Sequence, residues 1–298
     1  MPLIFSDHMV LQRDFNTPVW GYDKPGTKIT VILSKRTPKA ATTDENGRWE
    51  VRLDPMPADA SPSTLTIKTA AGEEKVYQNV LIGDVWICSG QSNMEWSVNQ
   101  SLDPQGTAAG ANYPNIRLFD VPGHTTAPLP TKTLVGGNWV PCSPASVQRF
   151  SAVGYAFGKE IFEKGNIPVG LIGTNWGGTR VEPWTPPSGF KEKAELKAIS
   201  DGLDSVSPST EVGRQRWDAY MAQIDEWVVA KRNALNKGLP VPRVPQPPAS
   251  TNAGSPTAIY NSMVSPLIPY GVRGAIWYQG ESNGGEGLGY LPKLQALV

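Results

Sequence analysis

The segment Val80-Leu81-Ile82-Gly83-Asp84-Val85-Trp86-Ile87-Cys88 constrains this chain more than any other. It is a nearly continuous apolar run without the alternation of a half-solvated strand, so it reads as a strand buried on both faces of a parallel sheet. Two further runs share its character, Pro168-Val169-Gly170-Leu171-Ile172-Gly173-Thr174 and Val272-Arg273-Gly274-Ala275-Ile276-Trp277-Tyr278. Between the first and second, Phe150 to Lys164 carries Val153, Phe157 and Ile161 at fourfold spacing and stops at Gly165, which predicts a helix. Strand, helix and strand in that order imply a parallel α/β domain from about residue 79 onward.

Residues 1–78 have a different texture. Pro18–Tyr22, Lys28–Leu33, Arg48–Leu53 and Thr64–Lys68 are short β-prone runs. Turn signals at Lys24-Pro25-Gly26, Asp44-Glu45-Asn46-Gly47 and Ala71-Gly72 separate them. That spacing predicts a small β-sandwich, without a catalytic constellation of its own. The expected organisation is therefore a β-rich domain over 1–78 and an α/β domain over 79–298. A helical and Pro-rich insertion at about 186–256 interrupts the second. Within it, Trp217, Met221, Ile224, Val228 and Leu235 form an apolar stripe on a charged helix, which reads as a packing face. Pro240, Pro242, Pro245, Pro247 and Pro248 mark an extended connector.

Charge narrows the function. Lys+Arg and Asp+Glu are 27 each, so the formal net charge is zero. A nucleic-acid binder draws its affinity from basic residues set against phosphates, and no basic excess or stripe is present. No stretch reaches the roughly 18 apolar residues of a bilayer span, and no leader pattern precedes Pro2-Leu3-Ile4-Phe5. A nucleic-acid partner and a membrane are not expected; a neutral or modestly charged small substrate is. Cys88 and Cys142 are the only cysteines; they do not make a disulfide framework, and Cys88 reads as a small buried hydrophobe.

In open parallel α/β sheets ligands bind beyond the carboxyl ends of the strands. The apolar runs end in Ser89-Gly90-Gln91-Ser92-Asn93-Met94, in Asn175-Trp176-Gly177-Gly178-Thr179-Arg180 and in Gln279-Gly280-Glu281-Ser282-Asn283. These ends are polar and glycine-rich, and they converge on one edge of the sheet. Ser92, on a strand-to-helix turn that Gly90 permits, is the candidate nucleophile; read alone, it is equally a helix cap. Gly177 and Gly178 leave backbone N–H groups open to an incoming carbonyl oxygen, and the Gln279 side-chain amide, or that of Asn283, is a second donor. Glu281 is read as orienting its neighbours. Trp176, with Arg180 and Asn283, is a candidate substrate contact, and Trp96, Trp176 and Trp184 are candidates for stacking on sugar rings.

These blocks resemble those of SGNH hydrolases, and closely the sialate O-acetylesterase family among them. Val85-Trp86-Ile87-Cys88-Ser89-Gly90-Gln91-Ser92-Asn93-Met94 matches the family's nucleophile block and Trp176-Gly177-Gly178-Thr179 its second. Tyr260-Asn261-Ser262-Met263 with Trp277-Tyr278-Gln279-Gly280-Glu281-Ser282-Asn283 matches the third, and Met9-Val10-Leu11-Gln12-Arg13 the start of the family's β-rich domain. The resemblance implies an SGNH-hydrolase-like parallel sheet flanked by helices and a serine esterase that deacetylates carbohydrates through an acyl-serine. It implies Ser92, Gly178 and Gln279 as nucleophile and oxyanion donors, no metal or organic cofactor, and a secreted or periplasmic setting. The chain departs from the pattern in one respect. The family's histidine, with an aspartate three residues before it, follows the third block. Here the histidines are His8, in the β-rich part, and His124, in a Pro/Gly loop without that aspartate. A second polypeptide segment bringing a histidine and an aspartate is therefore expected, with His124 in a rearranged site as the alternative. The rival class is a non-catalytic carbohydrate-binding protein that keeps the cleft without the base.

Overall fold

The computed structural model describes all 298 residues, Met1–Val298. The chain divides into two compact units. One comprises Met1–His124, Lys132–Thr179 and Met263–Ser282; the other comprises Thr125–Thr131, Arg180–Ser262 and Asn283–Val298.

The first unit opens with strands β1 (Val10–Gln12), β2 (Pro18–Tyr22), β3 (Lys28–Leu33), β4 (Lys39–Thr42), β5 (Arg48–Arg52) and β6 (Asp59–Thr69). β2 and β5 form an antiparallel pair, while β4, β3 and β6 join the larger sheet. Strand β7 (Glu74–Gly90) then does two jobs along its 17 residues. Its first half pairs antiparallel with β6; its second half, from Asp84, pairs in parallel on both sides. The apolar run is thus the buried half of a longer strand, which is bulged at residues 78 and 79, where the register against β6 shifts and Asn79 takes φ +55°.

After the single turn α1 (Ser92–Glu95) and the short helix α2 (Pro104–Ala109) comes β8 (Tyr113–Asp120), then β9 (Trp139–Cys142), α3 (Ala152–Gly165), β10 (Val169–Asn175) and β11 (Gly274–Tyr278). The parallel strands run in the order β11-β7-β10-β8, with β9 antiparallel at one edge. The architecture is α/β, as expected, although β8 is a parallel strand that the apolar runs do not announce. α3 begins where Ser151 caps it by accepting from the Gly154 N–H and ends at Asn166 in the left-handed conformation. It packs on a core that includes Cys88, Leu118, Phe150, Tyr155, Val169 and Leu171. Cys88 and Cys142 are both free thiols in that core.

The β-rich start is fastened to the parallel sheet by polar groups. Arg13 pairs with Asp84 at 2.8 Å. Arg117, buried in mid-strand, donates to the carbonyls of Pro114, His8 and Asn79 and to the Asn79 side chain. Burial with no carboxylate partner pushes its guanidinium down to about 10.

The second unit holds α4 (Pro187–Lys191), α5 (Lys197–Asp204), α6 (Glu211–Asn236) and α7 (Tyr290–Leu297). A small core of Phe190, Leu196 and Ala296 supports the shorter helices. α6 contradicts the packing-face expectation: Met221, Val228 and Leu235 are exposed, and only Gly213 and Ala234 are buried along the helix. No helix is long and apolar enough to cross a membrane.

Candidate active site

The carboxyl ends of β7, β10 and β11 lie flush. Asn175 and Tyr278 are the partners of Gly90 on its two sides. Gly90 has φ +145°, and a Cβ there would lie 2.1 Å from the Tyr278 carbonyl oxygen, so only glycine fits between the strands. The turn it allows places Ser92, exposed, at the start of α1. Because α1 is one turn long, little helix dipole acts on Ser92.

Neighbouring groups tie the strand-end blocks together in pairs. Gln91, buried, donates its N–H to the Tyr278 carbonyl and accepts from the N–H groups of Gly280 and Ser282 at 3.5 and 3.2 Å. Asn93 donates its side-chain amide to Glu281. Gln279 donates to the Thr179 carbonyl at 3.2 Å, joining the third block to the second. Glu95 closes the ring by accepting from the Gly177 N–H at 2.5 Å.

The second block is therefore a fixed turn. The Trp176 N–H donates to the Gly90 carbonyl at 3.0 Å, and the Thr179 hydroxyl donates to the Trp176 carbonyl at 2.6 Å. Gly177, read from the sequence as an open amide, is spent on Glu95. Gly178 sits at φ +75° with no atom within 4 Å of where a Cβ would be, so its backbone borders open space. A Cβ on Gly177 would come within 3.5 Å of the Ser92 Cβ, which sets this turn directly against the candidate nucleophile.

Beside Ser92 lies a polar cleft of about 280 Å³ whose lining includes Glu95, Asp120, His124, Arg149 and Asn175. The Nε2–H of His124 donates to Glu95 Oε1 at 2.8 Å, and the ring stacks on Trp176 with centroids 4.7 Å apart. Asp120, at the end of β8, keeps contact with solvent yet lies in a recess dense with protein. Burial first, and the charge of Glu95 second, push its carboxyl up to about 6. Sequence reading missed Glu95 and Asp120. The signals were available: Glu95 is three residues after Ser92, hence on the same face of a helical turn, and Asp120 ends an apolar run, Ile116 to Phe119, interrupted by Arg117.

The remaining candidates separate. Arg180 and Asn283 belong to the second unit. There Asn283 is buried, accepts from the Val181 N–H and donates to Glu182 and Glu286, while Arg180 pairs with Glu286 and approaches Glu182 at 3.7 Å. Trp184 is buried in that unit, and Trp96 is exposed in the first. His8 hydrogen-bonds Asn79 at 2.9 Å in the joint around Arg117.

No family model matches the chain. A sialate O-acetylesterase of Mus musculus is 29% identical over 297 residues, which cover 93% of this chain and 51% of that protein. The sialate O-acetylesterase of Homo sapiens is 28% identical over 302 residues, covering 93% of this chain and 48% of its own length. A solved carbohydrate acetylesterase from Xanthomonas citri is 30% identical with a TM-score of 0.73, covering 99% of this chain and 55% of that one. The chain spans about half the length of the relatives it matches.

Proposed function

Since this chain is a homologue of the sialate O-acetylesterases over 93% of its length, we propose that it carries the nucleophile of a serine esterase that removes acetyl groups from carbohydrates. The observation that carries this reading is the position of Ser92 on a turn cross-tied to the Trp176–Thr179 turn and to the Gln279 block. In the proposed reaction the Ser92 hydroxyl oxygen bonds to the acetyl carbonyl carbon while its proton passes to a base. The carbonyl electron pair moves onto oxygen, where the Gly178 N–H and the Gln279 amide stabilise it. Collapse expels the sugar oxygen, which takes the proton back from the base, and a water repeats the sequence to release acetate. Trp176 remains a proposed substrate contact, while Arg180 and Asn283 are engaged by Glu182 and Glu286 in the second unit. A secreted or periplasmic setting is proposed from the resemblance alone.

The base is proposed to be a histidine on a second segment, held by an aspartate and seated along β11. That strand has a neighbour on one side only, and its Ala275 and Tyr278 are exposed. A second reading is favoured by the bond from His124 to Glu95, which fixes the ring in the cleft beside the nucleophile turn. In it, His124 takes the proton through its other ring nitrogen.

Hydrolysis of an aryl acetate and of acetylated sugars, with and without the added segment, tests both. Ser92→Ala is expected to abolish turnover with the fold intact. Activity surviving Ser92→Ala sinks the assignment. Full activity of residues 1–298 alone that His124→Ala silences replaces the second segment with His124.

A further inference from the structure

Glu95 is the one side chain that joins the nucleophile turn to the Gly177–Gly178 turn, and the reaction proposed above does not use it. Its two carboxylate oxygens are divided. Oε2 accepts the Gly177 N–H at 2.5 Å, and Oε1 accepts the Nε2–H of His124 at 2.8 Å. His124 is in turn held flat against Trp176, the residue that opens the same turn. The loop is closed: Ser92 and Glu95 share α1, Glu95 holds Gly177, and Trp176 steadies the histidine that holds Glu95.

The consequence falls on Gly178. With Trp176, Gly177 and Thr179 all committed to scaffold hydrogen bonds, the peptide that carries the Gly178 N–H has its plane set by the groups on either side. Glycine at φ +75° has no side chain to hold that orientation itself. An oxyanion donor is effective only when it already points to where the charge develops, and a displacement of about 1 Å can cost about 100-fold in rate.

We propose that Glu95, held by His124, is a positioning residue that fixes the Gly178 N–H against the Ser92 oxygen. The Gly177 amide is thereby a fastening point and not a donor to the substrate. This rests on Ser92 being the nucleophile, and the test keeps the two apart.

An aryl fluorophosphonate that phosphonylates an activated serine is the probe, because its transition state also places charge on an oxygen facing the donors. Saturation kinetics on the full chain, with the second segment if turnover requires it, give a maximal inactivation rate and an apparent binding constant. Mass spectrometry identifies the modified residue. Glu95→Gln and Glu95→Asp are expected to slow the maximal rate by about 10- to 100-fold, less than or equal to the loss of a donor itself, with the binding constant unchanged. Both variants are expected to fold, since Glu95 is a part-exposed side chain. Unchanged inactivation rates at Ser92 in both variants overturn the role of Glu95 and leave the esterase reading standing. A weaker binding constant at an unchanged rate also overturns it, moving Glu95 to ground-state binding. Failure of the wild-type protein to be labelled at Ser92 overturns the esterase reading and this inference with it. Amide exchange of the wild-type protein supplies a check that needs no variant: Gly177 is expected to be protected and Gly178 to exchange freely. The reverse order overturns the proposal.

Discussion

Two groups of carboxylates in this molecule are built in opposite ways. In the second unit, Glu182 and Glu286 share Lys293, whose ammonium donates to each at 2.6 Å, and Asn283 donates to both. Burial alone raises the Glu182 carboxyl, but hydrogen bonds from Lys293 and Asn283 outweigh it and hold the group below its ordinary range. In the first unit, Asp120 is raised to about 6 by burial and by the charge of Glu95, and no cation or hydrogen bond offsets either. One set is satisfied and reads as architecture. The other is left under electrostatic stress in a cleft beside a candidate nucleophile, as functional sites commonly are.

The largest effect is expected where satisfaction is removed. Lys293→Met leaves Glu182 and Glu286, both largely buried, facing only the half-exposed Arg180. Stranding a buried charge in this way costs about 3 kcal/mol, read by chemical denaturation at neutral pH. Combining it with Glu182→Gln is expected to recover part of the loss, because the uncompensated charge is then gone. The sign with pH follows from the depressed Glu182 value. Its contribution is present above the ordinary glutamate range and is lost as pH falls through the folded value, so the deficit of Lys293→Met shrinks in acid. A double variant no better than the single one would mean that the cluster acts through packing and not charge.

A smaller effect of opposite sign is expected at Asp120. A carboxyl raised from 3.8 to about 6 binds a proton more tightly folded than unfolded. Wild-type stability should therefore fall as pH rises through that window and then level off. Asp120→Asn removes this slope and is expected to be slightly more stable at neutral pH. Contact with solvent keeps the gain below the Lys293→Met loss. Melting temperatures of the two proteins at pH 4 and pH 7 measure it; parallel profiles would show that Asp120 is not stressed.

How far the sequence discloses this contrast depends on which physical signal each part leaves. β2 and β3 coincide with the expected runs, because alternation and turn residues mark them. That Ser92, Trp176, Gly178 and Gln279 stand at or just beyond the carboxyl ends of parallel strands was legible, because those strands are apolar and their ends are not. β8 was not, because Arg117 sits buried in its middle, and an arginine normally argues against a doubly buried strand. Its charge is tolerated only through acceptors contributed by His8, Asn79 and Pro114. With β8 hidden, nothing in the sequence singled out Asp120, and the spacing from Asp120 to His124 carried no meaning. The stripe on α6 misled for the converse reason, since periodicity reports a face but not whether anything covers it. The Glu182, Glu286 and Lys293 cluster was invisible, as Glu182 lies 111 residues from Lys293.

The smallest effect expected is also the one that divides the two causes of the stress. Burial is the larger influence on Asp120 and the Glu95 charge the lesser. Replacing Glu95 by glutamine removes the charge and keeps the shape. The Asp120 midpoint, followed through its carboxyl carbon by NMR titration, is then expected to move down from about 6 and stop short of the ordinary aspartate range. A full return to the ordinary value would make Coulomb repulsion the whole cause, and the recess around Asp120 would be well hydrated. No movement at all would mean that the two carboxylates do not sense each other. The cleft would then hold an acid raised by its surroundings and a separate fastening residue, not a coupled pair. An intermediate shift keeps the contrast with the Lys293 cluster as drawn, for there burial is answered by a cation, and here a carboxyl that still meets solvent is pressed by a second anion.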